Sequence, residues 1–99
     1  MIGSCIQRER VCFFCGAPYP LERHHCLHGT ANRKLADKYG LTVWLCKRHH
    51  EEVHRNADAD LILKQRAQIA FEHQYGDRND FMRVFGRSYI FEDNDANKL

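Results

Sequence analysis

Leu21 to Leu27 reads as a strand, and Leu41-Thr42-Val43-Trp44-Leu45, β-branched and aromatic, reads as a stronger one. Between them His28 to Gly40 is too polar and irregular for core, and the pattern predicts the long loop of a hairpin. From Cys46 the chain turns helical and basic as far as Arg55, ending near Asn56. Further on, Ala59, Ile62, Leu63, Ala67, Ala70 and Phe71 step by three and four, which predicts one apolar helix face closed by Gly76. Asp77 or Asn79 can cap a short last helix in which Phe81, Val84 and Phe85 share a side. These aromatics read as core packing. Ahead of the strands, Val11-Cys12-Phe13-Phe14-Cys15-Gly16 has the composition of a tight knuckle, and Pro18 and Pro20 bar a helix behind it. Residues 92 to 99 read as a frayed acidic end.

Strands and helices in separate stretches predict an α+β chain, and 99 residues bound it to one core or one core with an appendage. An apolar share of 43% with 28% charged residues fits a folded chain rather than a disordered one. No apolar run approaches the ~18 residues of a membrane span, and residues 1 to 10 lack the apolar stretch of a signal peptide. The expected location is the cytoplasm. Seven histidines and five cysteines are unusual at this length, and an odd cysteine count in a reducing compartment points to metal ligation rather than disulfides. The net charge of +2 is unevenly spread: residues 23 to 55 hold seven basic side chains against three acidic ones, together with six of the seven histidines. That distribution suits a polyanionic partner.

Cys46 to His54 carries four candidate ligands in nine residues. At about 100° per residue, Cys46 and His49 stand about 60° apart and His50 and His54 about 40° apart, whereas His49 and His54 diverge by about 140°. One ion cannot collect all four. Cys46 and His49 join Cys12 and Cys15 in a Cys3His set with x2 spacing in both halves, the closed set that structural Zn(II) prefers. Cys5 and Cys26 have no partner at useful spacing. His50 and His54 present two imidazoles one turn apart, and the His24-His25 pair offers a third, leaving positions open for water and substrate. Neighbouring strand residues point to opposite sides, so one of His24 and His25 binds metal and the other does something else.

Together, Cys12-Phe13-Phe14-Cys15-Gly16, Arg23-His24-His25 and Leu45-Cys46-Lys47-Arg48-His49-His50-Glu51-Glu52-Val53-His54 resemble the HNH, or ββα-metal, nuclease family, especially small phage and prophage members with an embedded treble-clef-like zinc site. The resemblance covers residues 11 to 56. Ala70-Phe71-Glu72, Asp80-Phe81 and Phe85-Gly86-Arg87-Ser88-Tyr89 also resemble phage-type members. It implies an α+β fold with a zinc-stabilised ββα-metal core over residues 1 to 56 and a helical extension over 57 to 99 packed on it. It further implies His24 as a ligand of the catalytic metal, His25 as general base, His50 as the family's final metal-binding histidine and His54 as the extra ligand some members add. Members usually carry an asparagine just before the second strand, where Gly40 or Leu41 stands here, so its loop-positioning role is either lost or taken by Asn32.

The implied reaction is metal-dependent endonucleolytic hydrolysis of DNA. A histidine takes a proton from water, the water attacks phosphorus, and 5′-phosphate and 3′-hydroxyl ends result. Arg23, Arg33, Lys34, Lys47, Arg48 and Arg55 are the candidate phosphate-holding residues. The expected cofactors are structural Zn(II) and a second divalent ion, Mn(II), Co(II), Ni(II), Zn(II) or Mg(II). All-imidazole ligation makes Mg(II) the least suited of these. DNA is the expected partner, with a second copy of the chain or phage replication and recombination proteins as further ones, and no membrane. The competing class is a silent zinc-stabilised module that binds DNA or protein without cutting.

Overall fold

A computed structural model describes residues 4–91. Among them the elements run β1 (Leu21–His25), α1 (Thr30–Tyr39), β2 (Thr42–Cys46), α2 (Lys47–Arg55), α3 (Ala57–Gln74) and α4 (Arg78–Phe85), with β1 and β2 as an antiparallel pair. The chain is thus a small α+β protein with one two-stranded sheet and four helices among the described residues. Glu92 to Leu99, expected to fray, lie outside them.

The connection between the strands differs from the expected loop. Residues 30 to 39 form α1, whose Ala36 is fully buried with Leu35 and Tyr39 half-buried beside it. Three apolar residues at i, i+1 and i+4 make a narrow stripe, and Ala, Leu, Lys and Arg are good helix formers, so propensity and one thin stripe outweigh the polar composition. Gly40 ends the helix in the left-handed conformation at φ 72°, where a side chain would be strained. Asn32, expected in a hairpin loop, therefore sits in α1. β1 also stops at His25, two residues short of the predicted end, although Cys26 and Leu27 are fully buried beyond it.

The strand register pairs Leu21 with Cys46, His24 with Val43 and His25 with Thr42. Leu41, Val43 and Leu45 of the β2 region are buried and join Cys12, Leu27, Ala36 and Val53 in a core that continues into Leu63, Ala67, Phe71, Phe81 and Phe85. One hydrophobic cluster therefore spans the knuckle, the sheet and the C-terminal helices. Fully burying each large apolar side chain contributes roughly 1.5 to 3 kcal/mol, so the extension adds much of the core. Phe71 meets Phe81 and Phe85 at ring-centroid distances of 5.4 and 6.0 Å, and Tyr39 of α1 reaches Phe71 at 5.1 Å.

Helix ends follow their caps. The Asn56 side chain accepts from the Asp58 and Ala59 amides at the start of α3, and Asp77 with Asp80 forms a reciprocal capping box at the start of α4. The α3 stripe is narrower than its spacing suggested: Leu63, Ala67 and Phe71 are buried, but Ile62 is exposed. In its place Gln68 is fully buried, donating to Glu72 and Ser88 and accepting from the Tyr89 amide. That network gives the Phe85-to-Tyr89 motif a physical role, because it ties the chain after α4 back onto α3. No described helix is long and apolar enough to cross a membrane.

Candidate metal centres and the histidine cavity

The knuckle turns at Gly16, φ 79°, where the Gly16 amide donates to the Cys12 carbonyl and the Cys12 amide to Ala17. The Phe13 amide donates to the Trp44 carbonyl, which sets the knuckle against the end of β2. Cys46 leaves β2 as the N-cap of α2, and His49 follows one turn later. As a result one ligand atom from each of Cys12, Cys15, Cys46 and His49 lies within 4.8 Å of the others.

Tetrahedral zinc with bonds of about 2.3 Å to sulfur and 2.0 to 2.1 Å to nitrogen needs S···S edges of about 3.8 Å and S···N edges of about 3.6 Å. Here Cys15 Sγ and Cys46 Sγ are 3.9 Å apart, Cys12 Sγ is 3.6 Å from His49 Nδ1, and Cys46 Sγ is 3.3 Å from it. The set fits a zinc-sized ion. Electrostatics agree with that. Burial works against ionisation of Cys12, but the backbone amides of Cys46, Cys15 and Phe14 point at its sulfur and bring its pKa down to about 6. At Cys15 the Ala17 amide pulls downward, yet burial and the neighbouring Cys12 and Cys46 sulfurs hold the thiol above its ordinary value. Three sulfurs and an imidazole nitrogen this close together suit a cation between them. The remaining cysteines stay out of the cluster: Cys26 is buried, with its pKa pushed up by desolvation, and Cys5 donates to the Tyr39 carbonyl.

On the other flank of α2 a cavity of about 270 Å³ is bordered by Arg23, His24, His25, His28, Gly29, Arg33, His50 and His54. The ring centroids of His24, His50 and His54 are separated by 5.3, 6.1 and 5.0 Å. Imidazoles sharing one ion stand about 5 Å apart by the usual metal–nitrogen bond length, so these three surround the cavity at slightly more than ligating separation. His24 is only 3% exposed, and its Nε2 has no hydrogen-bond partner. Burial first, then the charges of His50 and His28, lowers its pKa to about 4, so near neutrality the ring offers a free lone pair. His50 Nδ1 pairs with Glu22, whose carboxyl that bond holds below its usual range.

Adjacent strand residues diverge as alternation requires. His24 turns towards α2, whereas His25 turns towards α1 and donates from Nε2 to Asp37 Oδ1 at 2.9 Å. Arg23 donates to the same oxygen at 2.8 Å. Asp37 was not singled out from sequence, and neither was His28, which pairs with Asp60 of α3 at 2.6 Å. Asn32 makes no side-chain hydrogen bond to a described residue, so Asp37, five residues further along α1, is the group that touches His25. Of the six basic residues, Arg23 and Arg33 border the cavity, and Lys34 lines a neighbouring one of about 210 Å³ with His25, Arg33 and Asp37. Lys47, Arg48 and Arg55 line neither; Arg55 lies 3.8 Å from Glu52.

Compared with known proteins, the chain matches no family model, no curated protein and no solved structure.

Proposed function

We propose that this protein is a metal-dependent endonuclease of the ββα-metal type, cutting phosphodiester bonds of DNA to leave 5′-phosphate and 3′-hydroxyl ends. The observation that carries the reading is the pairing of an oriented imidazole with an orphan one: His25, held by Asp37, and His24, with its buried unpartnered Nε2, border the same cavity. Cys12, Cys15, Cys46 and His49 hold zinc and set the start of α2. His50 and His54 on the same helix then face His24 as the ligands of a second ion.

A divalent ion there supplies positive charge for the phosphorane and the departing oxygen. With the Nε2–H of His25 donated to Asp37, Nδ1 is the nitrogen left to take a proton from water. Arg23 and Arg33 at the cavity rim and Lys34 next to it receive the scissile and flanking phosphates. Lys47, Arg48 and Arg55 extend the positive surface along α2. Asp37 fixes the ring of His25, the task first assigned to Asn32.

Relaxation of supercoiled plasmid tests the reading. Nicking is expected from the wild-type chain with added Mn(II), Co(II) or Ni(II), and neither with excess chelator nor from His25→Ala. Equal nicking by both proteins would remove His25 as the base. Failure of both, with zinc still bound, would favour the silent DNA- or protein-binding module.

A further inference from the structure

Two groups close to His24 come from outside the β1–α2 pair. His28 lies three residues beyond β1 and Asp60 in the first turn of α3, and one ligand atom from each lies within 4.8 Å of the other and of His24. His28 Nε2 donates to Asp60 Oδ1 at 2.6 Å, and the other Asp60 oxygen is 3.0 Å from Lys64 Nζ. Against this pair stands the His24 ring, 5.7 Å from that of His28 between centroids, buried and with Nε2 unpartnered. A buried polar atom without a partner is unfavourable, and a cation satisfies it. His50 and His54 approach His24 only ring to ring and are not within the same 4.8 Å set.

We infer that His24, His28 and Asp60 together ligate one divalent cation, so that α3 holds the working ion as well as β1. The inference rests on His24 being a metal ligand and changes its partners: two imidazoles and a carboxylate on one side, with His50 and His54 bordering the other. Binding breaks the His28–Asp60 hydrogen bond and forms two metal bonds in its place, with the proton of the neutral His28 ring carried on the nitrogen that does not ligate. A carboxylate oxygen in the set shifts preference towards harder ions than three imidazoles would take, Mn(II) in particular.

The test is calorimetric titration of Mn(II) into the zinc-loaded full chain without DNA. One Mn(II) is expected per chain. Asp60→Asn and His28→Ala should each weaken binding at least about tenfold, whereas Asp58→Asn, an exposed acid in the same turn, should not. Asp60→His restores a ligand and should bind Ni(II) in preference to Mn(II), which separates lost ligation from a lost fold. Wild-type affinity in both Asp60→Asn and His28→Ala would overturn the inference and leave an ion held by His24, His50 and His54. A wild-type chain binding no Mn(II), Co(II) or Ni(II) would overturn both, and normal Mn(II) binding with full nicking by His25→Ala would sink only the choice of base.

Discussion

The two flanks of α2 are built on opposite principles. On one, four ligands come from two short x2 motifs, their atoms already stand at tetrahedral separations, and backbone amides hold Cys12 ready as thiolate. On the other, histidines from β1, the segment after it and α2 border a cavity, one of them with an orphan nitrogen and three of them paired with carboxylates from β1, α1 and α3. A closed four-ligand set would leave no coordination position on its ion, whereas the histidines of the other flank border a cavity of about 270 Å³. Both depend on the same nine-residue helix, so the staple determines where the open site's histidines stand.

The largest effect should therefore come from the staple. Apparent binding energies of structural zinc run on the order of 10 kcal/mol or more, comparable to a small domain's whole stability. Cys12→Ser or Cys46→Ser should lose zinc and the cooperative melting transition together, read by metal content and circular dichroism. A Cys12→Ser chain that stays folded without zinc would break the contrast, since the hydrophobic cluster alone would then suffice.

Next in size is His25→Ala. A general base contributes typically ~10² to 10⁴ in rate, so nicking should fall by that factor while zinc content and melting temperature remain at wild-type values. A matching loss of stability would make His25 part of the scaffold and merge the two flanks. Asp37→Ala should act more weakly, about tenfold on kcat with KM nearly unchanged, because it orients the ring and touches no substrate. A KM effect of the same size would instead assign Asp37, through Arg23, to holding DNA.

How readily each flank could be read from sequence follows from the same difference. Cys12-x2-Cys15 and Cys46-x2-His49 are local patterns, and any fold that brings two knuckle-like turns together assembles them. The α2 histidines were equally legible, since helical periodicity alone separates His49 from His50 and His54. His28, Asp37 and Asp60 were not: each is an isolated polar residue, and only the packing of α1 against β1 and of α3 against α2 brings them to His25 and His24. Reading residues 28 to 40 as a loop hid Asp37 in particular, because a loop has no reason to return it to β1. Gln68 escaped for the opposite reason, as a polar residue in the apolar stripe whose partners arrive twenty residues later.

The smallest effect concerns the cost of leaving the open flank empty. His24 has a folded-state pKa of about 4, set first by burial and then by the neighbouring imidazoles, against about 6.5 in an unfolded chain. Above pH 6.5 both states are neutral and the contribution is fully present. As pH falls from 6.5 towards 4 the unfolded chain takes up a proton that the folded one refuses, and the contribution is lost. Allowing for solvent screening, the loss between pH 7 and pH 5 is on the order of 1 kcal/mol. Urea unfolding of the zinc-loaded chain, compared with His24→Gln at each pH, isolates it from protonation at the cysteines, which both proteins share. The wild-type advantage should shrink by that amount as pH drops, and saturating Mn(II) should enlarge the gap between the two proteins at pH 7. Parallel curves with and without Mn(II) would mean that His24 is simply a packed ring and that the contrast between staple and open site is false on its open side.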